Sequence, residues 1–216
     1  MLKKLFLAST MVVIIISFIT VSWAAELVPI KLLPPNLGGG KSLMQSLQAR
    51  KSSRNFSAKK LPMEVLSNLL WAASGVNRPE SGKRTAPSAS NRQEIDVYVA
   101  MADGLYVYNA KEHLLEPVLK EDIRELTGKQ SFVKDAPLNF IYVADFSKMG
   151  GNNAEERKLY SAADAAYVSQ NVYLYCASEG LATVVRGFVD REALTKAMQL
   201  PDNQKIILSQ TVGYPE

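Results

Sequence analysis

Seven residues in the second half of the chain, Leu138-Asn139-Phe140-Ile141-Tyr142-Val143-Ala144, are almost unbroken in their apolarity. A run of that length is consistent with a strand buried on both faces. Other strand signals frame it. Ile95, Val97 and Val99 alternate with polar or small residues, Asp103-Gly104 is a two-residue hairpin signal, and Leu105–Tyr108 returns. Further strands are expected over Leu114–Val118, Leu181–Val185 and Ile206–Val212.

Helices are marked by their ends. Ser42 can cap Leu43–Ala49, and Pro62 opens a helix with Leu66, Leu69, Leu70 and Ala73 on its apolar face, closed by Gly75. Glu121–Leu126 reads as a short helix ended by Gly128. The longest helix is expected from about Ala154 to Ser178, capped by Gly180, and Asp190 caps another that runs to Met198. Small residues Ala162, Ala163, Ala165 and Ala166 crowd the long helix's first half, and apolar ones its second. A helix of that kind belongs at the centre of a fold or at a subunit interface, where Gln170 and Asn171 would need partners. Two stretches lack such patterns. Leu27–Gly40, with three prolines and three consecutive glycines, reads as an extended arm, and Asn77–Gln93 as a long polar loop of a length usually functional or disordered.

The first residues follow the order of a cleavable secretory signal: Lys3 and Lys4, an apolar run from Leu5 to Ile19, then the small-residue site Ser22-Trp23-Ala24. The competing reading is a membrane anchor, but the run is near the lower limit of about 17 residues for a spanning helix. The expected organisation is a signal peptide over 1–24, an arm over 25–41 and one domain over 42–216. Such a protein is periplasmic or secreted, with no stable membrane insertion after cleavage. Removing Lys3 and Lys4 takes the formal charge from +4 to +2. That is too small to argue for nucleic acid, and no basic helix is interleaved with aromatics. Cys176 is the only cysteine, so no intrachain disulfide framework exists, and its apolar helical setting does not suit thiol catalysis. The only histidine, His113, reads as an exposed turn residue, since no second one is there to share a metal. Gly40-Lys41-Ser42 mimics the tail of a phosphate-binding loop, but Pro35 stands where that motif needs its first glycine.

Charge gathers at Arg50-Lys51-Ser52-Ser53-Arg54-Asn55-Phe56, after the short amphipathic run Leu43–Leu47. Arg offers a planar fork suited to phosphate, Lys a point charge and Ser a short donor. A helix dipole also favours cations at its carboxyl end, so a solvated basic terminus and an anion site are both open from these residues alone.

Three separated segments resemble one family. Arg50–Phe56 resembles the first flavin motif of the FMN-dependent nitroreductases. Arg84-Thr85-Ala86-Pro87-Ser88-Ala89-Ser90-Asn91-Arg92-Gln93 looks like their second, closest to the branch with the azoline-oxidising enzymes of peptide maturation. Gly180–Thr183 and Val185-Arg186-Gly187-Phe188 resemble the segment over the flavin ring, and Val212-Gly213-Tyr214-Pro215 fits the family's ending. The resemblance implies an α+β, three-layer α/β/α sandwich with a mostly antiparallel mixed sheet, and a homodimer with FMN at its interface. It implies that Arg50, Lys51 and Ser52 hold the phosphate and ribityl oxygens and that Arg54 stands at the N1/O2 edge of the ring. Pro87, Ser88, Ala89, Ser90 and Asn91 would come from the partner subunit. Val185 and the backbone of Arg186 and Gly187 would face N5 and O4.

Two departures stand out. Family members often carry a Lys or Arg after the last strand, and this sequence has Glu216 and none, leaving the phosphate to the Arg50 cluster and Arg84. Arg186 replaces a residue that is often acidic or apolar; its cation could attract an anionic substrate or point to solvent. The implied activity is hydride or two-electron transfer between a donor, NAD(P)H or another, and a small-molecule acceptor. The alternative is a flavin- or ligand-binding module without turnover.

Overall fold

The computed structural model describes residues 26–151 and 153–216, so the expected signal segment lies outside the described residues. In chain order the strands are β1 (Ile30–Lys31), β2 (Val76–Arg78), β3 (Lys83–Arg84), β4 (Ile95–Met101), β5 (Gly104–Asn109), β6 (Leu114–Leu119), β7 (Leu138–Asp145), β8 (Ala182–Arg186) and β9 (Gln204–Gly213). The helices are α1 (Leu43–Ala49), α2 (Met63–Ser74), α3 (Ala154–Glu179) and α4 (Arg191–Ala197).

Seven strands form one sheet in the order β1-β6-β5-β4-β7-β9-β8, and every described ladder is antiparallel. The apolar run is β7, paired on both sides. Its alternation divides it between two cores: Phe140, Tyr142 and Ala144 face one, Ile141 and Val143 the other. Leu69 and Leu70 of α2 and Val168 and Val172 of α3 fill the first, and Leu194 of α4 with Met198 closes the second. This is the three-layer sandwich with a mostly antiparallel sheet that the resemblance implies. Polar groups of the larger core are tied together across the sheet. The Tyr142 hydroxyl donates to Gln210 Oε1 at 2.6 Å, and the Gln210 amide donates to Thr183 Oγ1 at 3.0 Å.

Caps set the helix ends. Ser42 and Gln45 make a reciprocal capping box on α1, Asn153 accepts from Glu155 and Glu156 at the start of α3, and Gly180 ends α3 at φ 72°. Several expectations are corrected. Over Glu121–Leu126 there is only a 3-10 turn, Arg124–Thr127, where the Asp122 carboxylate holds the Arg124 guanidinium at 2.7 Å. The Asn77–Gln93 stretch is ordered as the β2–β3 hairpin followed by a tight turn at Ala89–Asn91. On α1 the apolar side chains Leu43, Met44 and Leu47 are exposed and Ser46 is buried, reversing the expected amphipathic face. Gln170 is exposed and Asn171 half-buried, so neither is a buried polar member of the long helix.

The arm is docked, not free. β1 pairs with β6, and Leu32 enters the larger core. His113 is half-buried and fastens it: Nε2 lies 2.8 Å from the Leu33 carbonyl and Nδ1 2.8 Å from the Tyr108 hydroxyl. A carbonyl only accepts, so Nε2 carries the proton and Nδ1 accepts from Tyr108.

Candidate functional site

β8 is an end strand, and its outward groups need partners. Two of them are supplied from elsewhere. The Ser53 amide donates to the Thr183 carbonyl at 2.9 Å, and the Val185 amide donates to the Tyr173 hydroxyl at 3.0 Å. Tyr173 also lies 2.8 Å from Ser52 Oγ, and its ring sits 5.3 Å beneath the Arg50 guanidinium. One buried phenol on α3 therefore ties the basic segment to the strand expected to flank it. Downstream, Phe56 bridges to Pro215 and packs on Phe132 at 5.3 Å, which closes a small core with Ala136, Ala182 and Val184.

Lys51, Ser52 and Arg54 remain exposed and Arg50 half-exposed. Among the described residues no acid pairs with any of these three cations. Hollows flank the segment. One of about 310 Å³ is lined by Lys41, Lys51, Ser53, Tyr173 and Thr183, and a more open one of about 690 Å³ by Arg54, Phe56, Gln130, Phe132 and Glu216. Gly187 lies just past β8, and its carbonyl accepts from the Val189 amide at 3.0 Å and from Arg191 Nη1 at 3.2 Å. A Cβ there would meet only Leu208, at 4.0 Å, so the backbone is open on that side.

Arg186 points the other way. Its side chain is 5% exposed, Nη1 donates to the Thr127 carbonyl at 2.7 Å, and Nη2 donates to Asn139 Oδ1 at 3.0 Å. Burial pulls the guanidinium down to about 10, still charged at neutral pH. Both side-chain expectations, attraction of an anionic substrate and exposure to solvent, are thereby corrected: this is an internal strut. Arg84 is also turned inward, its Nη1 donating to Ser74 Oγ at 3.1 Å.

The Pro87–Asn91 segment is a tight, exposed loop. Ser90, Asn91 and Gln93 all have left-handed backbone, at φ 54°, 53° and 50°. Such conformations cost roughly 1 kcal/mol or more each in non-glycine residues and persist where the surroundings fix them. Here Ser88 Oγ accepts from the Gln93 amide at 2.9 Å, and the Ala89 amide donates to Asp164 Oδ2 on α3 at 2.9 Å. Asp164 and the fully buried Glu94, in side-chain contact with it, were not picked out by the sequence reading.

Within one chain the loop and the basic segment stay apart. The buried stripe of α3 includes Ser161, Asp164, Ala165, Val168, Ser169, Val172, Tyr173 and Cys176. At about 100° and 1.5 Å per residue, Asp164 and Tyr173 lie about 180° apart round the helix and about 13.5 Å apart along it. They mark opposite margins of that stripe, so the loop is anchored on one flank of α3 and the basic segment on the other. Other chemistries find no centre. Among the described residues no group of His, Cys, Asp and Glu could hold a metal, no helix is long and apolar enough to cross a membrane, and Cys176 is fully buried with its thiol pushed up by desolvation.

The fold is thus an α+β sandwich with a cationic segment hung on its end strand and no acid paired with it among the described residues. The chain belongs to the Nitroreductase family, whose sequence profile matches residues 47–214, and that is a family of oxidoreductases. It is 33% identical over 154 residues to a nitroreductase-like protein of Methanocaldococcus jannaschii, spanning 66% of this chain and 77% of that one. The crystal structure of a nitroreductase-like protein of Ralstonia eutropha JMP134 superposes with a TM-score of 0.83 at 45% identity, covering 87% of this chain and 90% of that one. The NADPH:FMN oxidoreductase of Vibrio harveyi, complexed with NAD+, shares the fold alone: TM-score 0.62, 18% identity, 81% of this chain and 69% of that one.

Proposed function

We propose that this chain is an FMN-dependent oxidoreductase that works as a homodimer, each flavin meeting residues of both copies. The observation that carries the reading is the cationic segment. Arg50, Lys51 and Arg54 have no acidic partner among the described residues, yet Ser52 and Ser53 fix the backbone beneath them. A phosphate would bind there without displacing an existing ion pair. The residues fit the group further along as well, since the space beside Gly187 admits close approach to the backbone there.

On this reading Arg50, Lys51 and Ser52 hold the phosphate and ribityl oxygens, and Arg54 stands at the pyrimidine edge of the ring. Val185 and the backbone of Arg186 and Gly187 lie along its other side, and Pro87, Ser88, Ala89, Ser90 and Asn91 of the second copy line it. FMN, when bound, supplies two-electron, hydride-type chemistry; the side chains bind and orient it. Exposed apolar residues support a second copy: Leu43 and Met44 on α1, and Leu159 and Tyr167 on α3. The signal-like first residues make the protein exported, periplasmic or secreted, with NAD(P)H as one candidate donor and a non-nicotinamide reductant as another. The likeness of the second motif to the azoline-oxidising branch extends the reading to oxidation of a small substrate or peptide ring.

Titration with FMN tests this. The purified protein is expected to turn yellow, and an anaerobic screen across NADH, NADPH and other reductants to find a donor that bleaches it. R50A and R54A should each weaken FMN binding about tenfold, the scale of one charge-assisted contact, with the fold intact by circular dichroism. A protein that stays colourless with FMN ends the reading. A yellow protein that no donor bleaches leaves the alternative, a flavin- or ligand-binding module without turnover.

A further inference from the structure

We propose that Glu94 and Asp164 are positioning residues for the Pro87–Asn91 loop, holding it through a single proton shared between their two buried carboxyls. Asp164 is the loop's anchor on α3, taking the Ala89 amide at 2.9 Å, and is itself 3% exposed. Glu94 is 0% exposed and its carboxyl lies beside that of Asp164, with neither Glu94 oxygen hydrogen-bonded. Among the described residues no nitrogen or hydroxyl donor reaches either Glu94 oxygen, and neither carboxyl has a salt bridge. Two adjacent buried carboxylates with no salt bridge repel, which favours keeping a proton on one of them. A protonated Glu94 can donate to Asp164, which then accepts from both Glu94 and Ala89.

The charged groups nearby form no salt bridge with the pair, though Arg84 lines the same small hollow as Asp164 and Arg92 draws on Glu94. Arg92, at the loop's end, lies 5.8 Å over the Tyr160 ring. Arg84 donates to Ser74, Lys148 pairs with Asp96 at 2.8 Å, and the Asp145 carboxylate accepts from Ser147 and Asn203. Burial, and then the contact with Asp164, push the Glu94 carboxyl up from an ordinary 4.5 to about 7, against the opposing pull of its own backbone and of Arg92.

The direction of the pH effect follows. Between the ordinary glutamate value and about 7, the closed loop holds a proton that the open loop has lost. Closure is therefore favoured at low pH and weakens as pH rises through that window. The consequence for cofactor rests on the flavin reading: if the loop lines the ring, FMN retention falls as the pair ionises.

Hydrogen–deuterium exchange over residues 86–94 of the purified protein, corrected for intrinsic base catalysis, reads the loop directly. Protection is expected to fall about tenfold between about pH 5.5 and 8.5. E94Q, whose amide can donate to Asp164 at every pH, should keep the low-pH protection throughout. D164N, which leaves an oxygen for the Ala89 amide but removes the second acid, should likewise lose the pH dependence. Wild-type protection that does not change with pH, or a pH profile that survives in both variants, overturns the proposal. FMN affinity at the two pH values separates the readings. Affinity that tracks exchange supports both, whereas exchange that follows pH at constant affinity keeps the positioning role and removes the loop from the flavin site.

Discussion

Replacing Gly128 by alanine should destabilise this protein by about 3 kcal/mol, nearly all of it through Arg186. The backbone at Gly128 is extended, at φ 179°, so alanine introduces no conformational strain there. A Cβ, however, would stand 1.8 Å from Arg186 Nη1 and 3.0 Å from its Cζ. An arginine tip in solvent would swing aside at little cost. This one is 5% exposed and held at both ends of its fork, by Thr127 and Asn139. Moving it breaks two hydrogen bonds from a charged donor, each worth roughly 1.5–3 kcal/mol, and shifts a buried cation that stands 5.9 Å over the Phe132 ring, with Gln130 Oε1 the acceptor left beside it.

Partial relaxation brings the sum of those terms down to about 3 kcal/mol, or roughly 6–12 °C in Tm for a domain of this size. The control is R186M, which removes the fork and the charge together and should cost about 1–3 kcal/mol through the acceptors it strands. Added to R186M, G128A should cost under about 1 kcal/mol, a coupling near 2 kcal/mol. Urea unfolding of all four proteins at neutral pH measures the cycle. A G128A midpoint equal to wild type, or penalties that simply add, would refute the account of Arg186 as a trapped internal strut.

Y173F removes the hydroxyl that receives the Val185 amide and contacts Ser52, so stability should fall by about 1–2 kcal/mol and FMN affinity with it. A Y173F protein with wild-type stability and affinity would dissolve the link between α3 and the basic segment. If each flavin site needs both copies, FMN affinity should drop on dilution in step with dimer dissociation in sedimentation velocity; affinity independent of protein concentration would contradict the shared site.

Much of the fold could be read locally. The capping residues Ser42, Asp190 and Gly180, and the period of two in β4, depend on neighbours a few residues away, and the structure puts those elements close to where their patterns do. What escaped depends on distant partners. The pocket of Arg186 is assembled from a carbonyl at 127, a missing side chain at 128 and an amide at 139, none of which marks an arginine as internal. Glu94 and Asp164 are 70 positions apart, and each alone resembles any surface acid. The arm shows no core pattern because Leu32 alone of its strand region is fully buried, Leu27 and Ile30 only leaning on the core, and β1 is stabilised by pairing with β6. The basic segment was legible as a cation cluster, whereas its attachment to β8 was not, because that runs through Tyr173, about 120 residues later.

The same topology argues for a second copy. The loop leads into β4, while the basic segment lies along β8, and β7 and β9 stand between them in the sheet. Three strand spacings of about 4.8 Å place those two strands roughly 14 Å apart laterally. α3 covers the gap, with Asp164 at one margin of its buried stripe and Tyr173 at the other. Both strands are locked by continuous ladders, so no hinge within the domain can carry a chain's own loop across α3 to its own basic segment. On the flavin reading, residues 87–91 and 50–54 can serve one ring only if a two-fold neighbour turns its loop toward the edge of β8. The outward apolar side chains of α1 and α3 then acquire a purpose: they are the surface on which that neighbour would sit, and dimerisation becomes a condition for holding the cofactor.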